Sequence, residues 1–398
     1  MTTIQKYEKY TIPCFGKRDA VFVSGKGCVL VDENNKKYLD FGAGIAVNAL
    51  GHANARWVKA IATQASKLAH CSNLYLTKPH ADLAEKLVSL IGNGKVFFCN
   101  SGAEANEALI KAARLWGAKV AGEEGKKVRI ITAKNCFHGR TLGAVAATAQ
   151  YKIQHGFKPL LEGFSYADFN DINSFEKLMG DDVAAVIVEP IQGESGVTPA
   201  TRKFLQGLKS LCKKHKALLL FDEVQCGVGR TGAFMAFQKY GVKPDGISMA
   251  KGIAAGFPMG AIWLDAKYAD ILTAGTHGST FGGNALACAA SLATLEEIEK
   301  KNLISNAEKM GEYLIKGLEK IRKANPDKLA EIRGMGLMVG AVFNPQYVNV
   351  EVCSKLRERG LILIPAGSNA LRFLPPLTVK ASEIDKALKI FEKTISEL

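Results

Sequence analysis

Two charged side chains stand out because each follows a short apolar run of the kind found in buried strands. The first is Asp222, in the segment LLLFDEVQCGVGRTG at residues 218–232. Open α/β sheets bind their ligands at the carboxyl ends of strands, where this carboxylate is expected. If partly buried, it needs a cationic partner, and a protonated pyridine nitrogen would be one. Capping of a turn or helix is the alternative role, which is common for aspartate.

Lys251 is the second, in the segment SMAKGIAAGFPMG at residues 248–260. Small residues flank it and a glycine-rich bend follows. A lysine in an apolar stretch usually extends its amine to the surface, which is the plain interpretation. If the amine is desolvated, its pKa falls and it becomes a nucleophile for carbonyl groups.

A strand-to-helix turn lies in FCNSGAEANEALIKAARLWG, residues 98–117. The predicted strand ends at Cys99 and the helix begins near Glu104. Ser101 and Glu104 have the spacing of a capping box, which explains the pattern structurally. The functional interpretation is that Ser101, Gly102 and Ala103 present backbone N–H groups to a phosphate at the positive end of the helix.

The segment NCFHGRTLGA, residues 135–144, follows another predicted strand. Phe137 is either part of the core or a ring that stacks on a flat heteroaromatic group. Arg140 is either a surface cation or a guanidinium that pairs with a substrate carboxylate.

No one of the four segments decides the function. Together they supply a phosphate site, a pyridinium partner, an amine nucleophile and a stacking ring, which are the groups that pyridoxal phosphate requires.

Alternating strand and helix patterns position these groups. Four apolar runs predict buried strands: 96–99, 128–132, 183–190 and 217–223. Helical periodicity covers 104–120 and 201–216 between them. This alternation indicates a mainly parallel sheet with helices on both faces. Before it, residues 19–41 alternate like short strands, with turns expected at Ser24-Gly25 and Glu33-Asn34-Asn35.

After residue 284 one long helical stretch is expected to reach Lys323, followed by a helix at 349–359 and strands at 361–365 and 370–374. A capping box at Ser382–Asp385 predicts the start of a last helix. We therefore expect a large α/β domain at 54–283. A smaller α+β domain would combine an N-terminal segment, 1–53, with the C-terminal part, 284–398.

Composition excludes several classes of protein. The chain has 398 residues, 47% hydrophobic and 23% charged, which is typical of globular proteins and not of disordered, collagen-like or coiled-coil chains. Its formal charge of +14 comes from scattered basic residues such as Lys126-Lys127. Without a basic run or zinc-finger spacing, we expect no nucleic-acid binding.

Nine cysteines without a C-x-x-C pair indicate free thiols and no metal site. The N-terminus lacks the apolar segment of a signal peptide. The uncharged stretch at 271–295 is rich in Gly, Ser, Thr and Ala, a poor composition for a membrane span. We therefore expect a cytoplasmic protein that does not associate with membranes.

Seven segments in this order resemble the class III aminotransferases of fold type I, from about Tyr7 to the C-terminus. They are SGAEANE, FHGRT, VEPIQGESGV, FDEVQCGVGRTG, AKGIAAGFP, HGSTFGGN and IRGMG. The resemblance implies a seven-stranded, mainly parallel sheet in the large domain. It also implies pyridoxal phosphate as cofactor and a homodimer with a shared active site.

The resemblance assigns roles to individual residues. Lys251 would bind the cofactor covalently and shuttle the reaction proton, and Asp222 would keep the pyridine nitrogen protonated. Val224 and Phe137 would pack on opposite ring faces, and Gln225 would contact the phenolic oxygen. The other residues of the cofactor set are Ser101, Gly102, Ala103, Glu223 and, from the partner subunit, Thr280.

Within the class, the resemblance is to the branch that acts on N2-acetylornithine and 2-oxoglutarate. Arg140 and Ser279 would bind the amine donor. Glu194 would mask Arg372 while the donor is bound and release it for the α-carboxylate of the keto acid. Ornithine, succinylornithine, succinyl-diaminopimelate and 4-aminobutyrate stay open as alternative donors. A structural ion pair is the alternative role of Glu194 and Arg372.

The chain departs from the family at one cofactor residue. Ala103 stands where many relatives have threonine, so a hydroxyl that would bind the phosphate is missing. One neutral hydrogen bond is worth on the order of 1 kcal/mol, so we expect a weaker but intact cofactor site. Less close alternatives are an aminomutase and a cofactor-free binding protein, and the presence of both Lys251 and Asp222 argues against the latter.

Overall fold

A computed structural model describes residues 1–16, 18 and 20–398 of the chain. The strands are β1 (Phe22–Lys26), β2 (Val29–Asp32), β3 (Lys37–Asp40), β4 (Gly94–Cys99), β5 (Arg129–Ala133), β6 (Phe164–Ala167), β7 (Val183–Val188), β8 (Ile191–Gln192), β9 (Thr198–Pro199), β10 (Leu218–Asp222), β11 (Gly246–Met249), β12 (Gly260–Asp265), β13 (Leu329–Met335), β14 (Met338–Phe343), β15 (Leu361–Ile362), β16 (Ile364–Ala366) and β17 (Ala370–Phe373).

The helices are α1 (Thr3–Tyr10), α2 (Ala43–Ala46, a single turn with positive φ throughout), α3 (Ala55–Ala65), α4 (Lys78–Ile91), α5 (Gly102–Ala121), α6 (Leu142–Ala147), α7 (Tyr151–Gln154), α8 (Ile172–Leu178), α9 (Arg202–Lys214), α10 (Ala236–Tyr240), α11 (Ala285–Lys300), α12 (Leu303–Ala324), α13 (Asn349–Glu358) and α14 (Ala381–Ser396). A 3-10 helix spans Lys251–Ala254. None of the helices in the described ranges is long and apolar enough to cross a membrane.

The central sheet has seven strands in the order β4-β12-β11-β10-β7-β5-β6. Strands β11, β10, β7, β5 and β6 pair in parallel, and β12 runs antiparallel to both of its neighbours. The predicted fold, a mainly parallel seven-stranded sheet, is confirmed. The four apolar runs form β4, β5, β7 and β10.

Successive residues of the central strands face two different layers of helices. Leu219 and Phe221 of β10 join the hydrophobic cluster that contains α9, whereas Leu218 and Leu220 join the cluster that contains α5. Strands buried on both faces are continuously apolar, and β7 and β10 have no exposed position. This explains why the runs were recognisable without alternating polarity.

Segments from the two chain ends form the two four-stranded sheets, and β8 and β9 pair in a small antiparallel sheet of their own. Strands β1, β2 and β3 form an antiparallel sheet that β15 extends in parallel, and β13, β14, β17 and β16 form an antiparallel sheet. The turn expected at Ser24-Gly25 is wrong, because these residues lie within β1 and the chain turns at Gly27-Cys28. Gly25 packs against His52, where a Cβ atom would come within 2.8 Å of the ring. The domain boundaries at 53/54 and 283/284 stay a prediction.

Two predictions for the C-terminal part are wrong. The helical stretch after residue 284 is two helices, α11 and α12, because Asn302 between them has a left-handed φ of 50°. The last helix starts at Ala381, so Ser382 lies inside it. Its first turn is closed by Glu383, whose carboxylate accepts the N–H of Lys380 at 2.8 Å.

Candidate active site

A cavity of about 380 Å³ lies at the carboxyl ends of β4, β5, β7 and β10 and at the start of α5. Its size is within the usual range for small-molecule sites. Ten of the residues predicted for the site line it: Ser101, Gly102, Ala103, Phe137, Arg140, Glu194, Asp222, Val224, Gln225 and Lys251. The fold therefore brings together segments that lie up to 150 residues apart, from Ser101 to Lys251 (251 − 101).

Asp222 is buried at the end of β10 and is held on both carboxylate oxygens. Its Oδ1 accepts the N–H of Val224 at 3.0 Å. Its Oδ2 lies 2.8 Å from Nδ1 of His138 and accepts a bond from Nδ2 of Asn106 at 2.7 Å. Burial raises the pKa of Asp222, but the hydrogen bonds and the charge of His138 outweigh it, so the pKa lies below its ordinary value.

His138 and Asn106 are buried polar residues of the site that were not predicted from the sequence. Burial opposes the charged form of His138, but Cys136 and Asp222 raise its pKa well above the ordinary value. Asn106 also donates to the carbonyl of His138 at 2.7 Å and accepts from the hydroxyl of Ser248 at 2.7 Å. His138 lies in the segment FHGRT and Asn106 in SGAEANE. A polar side chain within each of these segments was a sequence signal from which both could have been predicted as site residues.

Lys251 follows β11 and has a φ of 49°, in the left-handed region. Such a conformation costs on the order of 1–3 kcal/mol for a residue other than glycine and is concentrated at functional sites. Burial lowers the pKa of its amine, an effect that Glu194 opposes and Arg372 adds to. Among the described residues its Nζ has no hydrogen-bond or ion-pair partner. The chain thus presents an available amine to the cavity.

The turn before α5 is built as an N-terminal cap. Ser101 has extended backbone and its Oγ accepts the N–H of Glu104 at 3.2 Å, as predicted. The Glu104 carboxylate accepts from the N–H of Asn100 and not of Ser101, so the box is displaced by one residue. At Gly102 a Cβ atom would lie 2.8 Å from Cγ1 of Val224, so only glycine leaves this side of the turn open.

Phe137 and Arg140 lie on the loop after β5. The Arg140 guanidinium is exposed and its carbon lies 5.7 Å from the centre of the Phe137 ring. The N–H of Phe137 donates to Oε1 of Glu189 at 2.9 Å. In the described part of the chain Arg140 has no carboxylate partner, and it lies at the mouth of the cavity.

Arg372 is on β17 behind the cavity wall and is only 1% exposed. Its Nη1 donates to Oε1 of Glu194 at 2.6 Å and to Oε1 of Gln225 at 3.1 Å. Burial raises the pKa of Glu194, but the charge and hydrogen bond of Arg372 lower it. The lowering outweighs the rise, so the pKa lies below its ordinary value. Glu194 and Gln225 both line the cavity, so they stand between it and the guanidinium.

Besides Arg372, three predicted residues do not line the cavity of this chain. The Glu223 carboxylate accepts the N–H groups of Ala236 and Phe237 at the start of α10, and its burial raises its pKa to about 7. Thr280 is exposed on the loop before α11. On the same loop, Oγ of Ser279 accepts from Nδ2 of Asn100, a residue of the cavity wall, at 3.2 Å.

The family model for class III aminotransferases matches residues 16–395. Among curated proteins, the acetylornithine aminotransferase of Methanocaldococcus jannaschii is 45% identical over 392 residues, which are 98% of this chain and 97% of that one. A succinylornithine transaminase of Yersinia pseudotuberculosis is 44% identical, with 97% of this chain and 94% of that one covered.

Solved structures agree with this relationship. An ornithine aminotransferase from Toxoplasma gondii superposes with a TM-score of 0.95 at 30% identity, covering 100% of this chain and 96% of that one. The acetylornithine aminotransferase of Elizabethkingia anophelis gives 0.87 at 34% identity, covering 99% and 98%. The fold is thus that of the pyridoxal-phosphate-dependent aminotransferases. The chain belongs to the class III aminotransferases.

The residues of the cavity fit pyridoxal phosphate. The depressed pKa of Asp222 keeps it ionised for a pyridinium partner, and the amine of Lys251 is available. The open side at Gly102 leaves room for a group close to the first backbone N–H donors of α5.

Proposed function

We propose that the protein transfers the δ-amino group of N2-acetyl-L-ornithine to 2-oxoglutarate, giving N-acetyl-L-glutamate 5-semialdehyde and L-glutamate. The observation that carries the proposal is the buried Arg372, closed off from the cavity by Glu194 at 2.6 Å. The relative from Methanocaldococcus jannaschii, which is named an acetylornithine aminotransferase, supports the same donor.

The pair of Glu194 and Arg372 answers a physical problem that two alternating substrates create. The reacting δ-carbon of the donor carries no carboxylate, whereas the reacting carbon of 2-oxoglutarate carries the α-carboxylate. An unpaired buried charge is strongly destabilising, so the guanidinium needs an anion in each state. Glu194 supplies it while the donor is bound, and the α-carboxylate of the keto acid replaces it.

Arg140 is proposed to bind the carboxylate of the donor, because it lies at the cavity mouth without an ion-pair partner in the described part of the chain. A planar guanidinium pairs with a carboxylate through two parallel hydrogen bonds. Ser279 would contact the donor from the neighbouring loop.

For the cofactor, we propose that Asp222 holds the pyridinium proton and that Phe137 and Val224 enclose the ring. Ser101, Gly102 and Ala103 would bind the phosphate, and Gln225 would face the phenolic oxygen. When bound, pyridoxal phosphate supplies a reactive aldehyde and an electron-withdrawing ring that stabilises negative charge on the substrate carbon.

Lys251 is proposed to act both as the attachment point and as the base. Its lowered pKa increases the fraction of neutral amine, which is the form that attacks a carbonyl or removes a proton. Its Nζ would take the proton from the amine-bearing carbon of the donor, and the walls of the cavity would exclude water while it does so.

We further propose a cytoplasmic homodimer with a shared active site. Leu74, Tyr75 and Leu76 are three consecutive apolar residues that are 85%, 71% and 102% exposed. Contiguous exposed apolar surface is typical of protein interfaces. Thr280, which is exposed outside its own cavity, would reach the phosphate site of the partner.

The test is a half-reaction on the purified cofactor-loaded protein. Acetylornithine, ornithine and 4-aminobutyrate are added separately without keto acid, and the loss of the visible cofactor band is followed. We expect acetylornithine to be fastest at equal concentration. Arg140→Ala should raise its KM about tenfold or more, since hydrogen bonds to charged groups are worth roughly 1.5–3 kcal/mol.

Arg202→Ala, which removes an exposed arginine from α9, is the matched control and should leave this KM unchanged. Faster reaction with ornithine or 4-aminobutyrate would show that the proposed donor is wrong. Absence of any visible band after addition of cofactor would contradict the enzyme assignment itself.

Succinylornithine is a second candidate donor, because a relative with that name is 44% identical over nearly the whole chain. An exposed cation such as Arg140 at the mouth could also serve the extra carboxylate of a succinyl group. Including succinylornithine in the half-reaction series decides between the two acyl donors by their relative kcat/KM.

A further inference from the structure

Glu189 is a buried carboxylate of the cavity wall that the proposed mechanism does not use. It directly follows β7, is 5% exposed, and accepts two backbone hydrogen bonds from two different loops. Its Oε1 accepts the N–H of Phe137 at 2.9 Å, and its Oε2 accepts the N–H of Gly193 at 3.1 Å. Among the described residues it forms no ion pair with a basic side chain.

The bond to Gly193 leads to the groups that close off Arg372. Gly193 directly precedes Glu194, and it packs so tightly on Gln225 that a Cβ atom would lie 2.4 Å from the Gln225 Oε1 atom. Glu194 and Gln225 are the two side chains whose carboxylate and amide oxygens bind Nη1 of Arg372. Glu189 thus restrains the backbone that carries one partner of Arg372 and supports the other.

The bond to Phe137 leads to a second segment of the cavity wall. The same carboxylate holds the backbone of Phe137, which lines the cavity. A single carboxylate group therefore fixes the loop after β5 relative to the segment after β7. The two loops lie 56 residues apart in the chain, from Phe137 to Gly193 (193 − 137).

We propose that Glu189 is a positioning residue that keeps Glu194 and Gln225 closed on Arg372 and thereby sets the affinity of the site for dicarboxylates. The proposal rests on the proposed function in one respect, that Arg372 is the group that binds the α-carboxylate of 2-oxoglutarate. Loss of the Glu189–Gly193 bond frees the segment at 193–194, so the closed arrangement is less favoured and a dicarboxylate displaces Glu194 more easily.

Electrostatics agree with a role through hydrogen bonding. Burial raises the pKa of Glu189 to about 7, and Asp222 adds to the rise. The charge of His138 and the two N–H groups oppose it. A buried carboxylate without a cation is unfavourable unless its acceptors are satisfied, and the two loop N–H groups satisfy them.

The experiment titrates glutarate, an unreactive five-carbon dicarboxylate, into the cofactor-loaded protein by isothermal titration calorimetry. Glu189→Gln keeps the shape but places an NH2 group against one of the two N–H donors, and Glu189→Ala removes both acceptors. Both variants weaken the Glu189–Gly193 bond. We therefore expect glutarate to bind about fivefold more tightly to both, because loss of one hydrogen bond gives about this factor.

Asp245→Asn is the matched control. Asp245 is also a buried carboxylate that accepts a backbone N–H, that of Leu219 at 2.8 Å, but it lies at the opposite end of β10 from the cavity. The Asp245→Asn protein should bind glutarate with the same affinity as the unmodified protein. Thermal unfolding of each variant shows whether it is folded, and Glu189→Gln decides if Glu189→Ala is not.

A purely structural role for Glu189 would leave glutarate binding unchanged or weaken it, and either result would overturn the proposal. The same holds if the control gains affinity too, or if glutarate binds to none of the proteins. Since acetylornithine does not enter this titration, the donor assignment and the role of Glu189 can fail independently.

Discussion

Ala103 is the residue at which the phosphate site differs most from the pattern expected of the family. Ala103 lines the cavity and faces Gly139. A Cβ atom on Gly139 would lie only 2.7 Å from the Cβ of Ala103, so Gly139 places only backbone there. Ala103→Thr would add a hydroxyl next to the N–H donors of α5. We expect the dissociation constant of pyridoxal phosphate to fall about fivefold, since a hydrogen bond is worth on the order of 1 kcal/mol.

Equilibrium dialysis of the cofactor-free protein measures this constant directly. Ala103→Val is the control, because valine has the shape of threonine without the hydroxyl. Equal affinities of the Thr and Val variants would assign any gain to packing. No gain in the Thr variant would show that the backbone donors already satisfy the phosphate.

At the level of elements, α5 is held close to the central sheet by a glycine. At Gly117 a Cβ atom would lie 1.8 Å from the carbonyl oxygen of Lys127 and 3.0 Å from Cβ of Ala184. Helix propensity alone favours alanine by about 0.5–1 kcal/mol. We expect the opposite for Gly117→Ala, a loss of about 1–3 kcal/mol of unfolding free energy, because an overpacked backbone contact cannot relax.

Urea unfolding followed by circular dichroism tests this expectation. Gly207→Ala in α9 is the comparison, since a Cβ atom there would meet only the side chain of Ile172, at 3.0 Å, which can shift. Its loss should be smaller. A Gly117→Ala protein as stable as the unmodified one would contradict the close approach of α5, the helix that begins with the proposed phosphate turn.

At the level of the whole molecule, the exposed apolar run Leu74–Leu76 is the proposed dimer contact. Leu76→Asp would place a charge at a side chain that is 102% exposed in the single chain. If this side chain is buried between subunits, the dimer should dissociate and activity should fall, because Thr280 no longer reaches the other site. Burial of an unpaired carboxylate opposes association.

Sedimentation velocity measures the change in mass. Val350→Asp, at a 59% exposed apolar side chain at the start of α13, is the control and should leave the dimer intact. A protein that sediments as a monomer before any substitution would contradict the proposed dimer. So would a Leu76→Asp protein that stays dimeric with full activity.

The sequence by itself predicted four of the seven central strands, β4, β5, β7 and β10, and cavity residues such as Asp222 and Ser101, because their signals are local. Strands β7 and β10 are buried on both faces, so they read as unbroken apolar runs whatever their neighbours are. Polar residues directly after such runs, such as Asp222, had to fall at one edge of a parallel sheet. Ser101 acts as a cap through a bond that spans three residues.

Only the tertiary structure decided the contacts between distant segments, since these leave no pattern in a local window. His138 meets Asp222 across 84 residues, and Glu194 meets Arg372 across 178. The two bonds of Glu189 join loops whose polar backbone groups carry no sequence signature. The break at Asn302 depended on a single backbone conformation, a left-handed φ within an otherwise helical pattern, which periodicity does not detect.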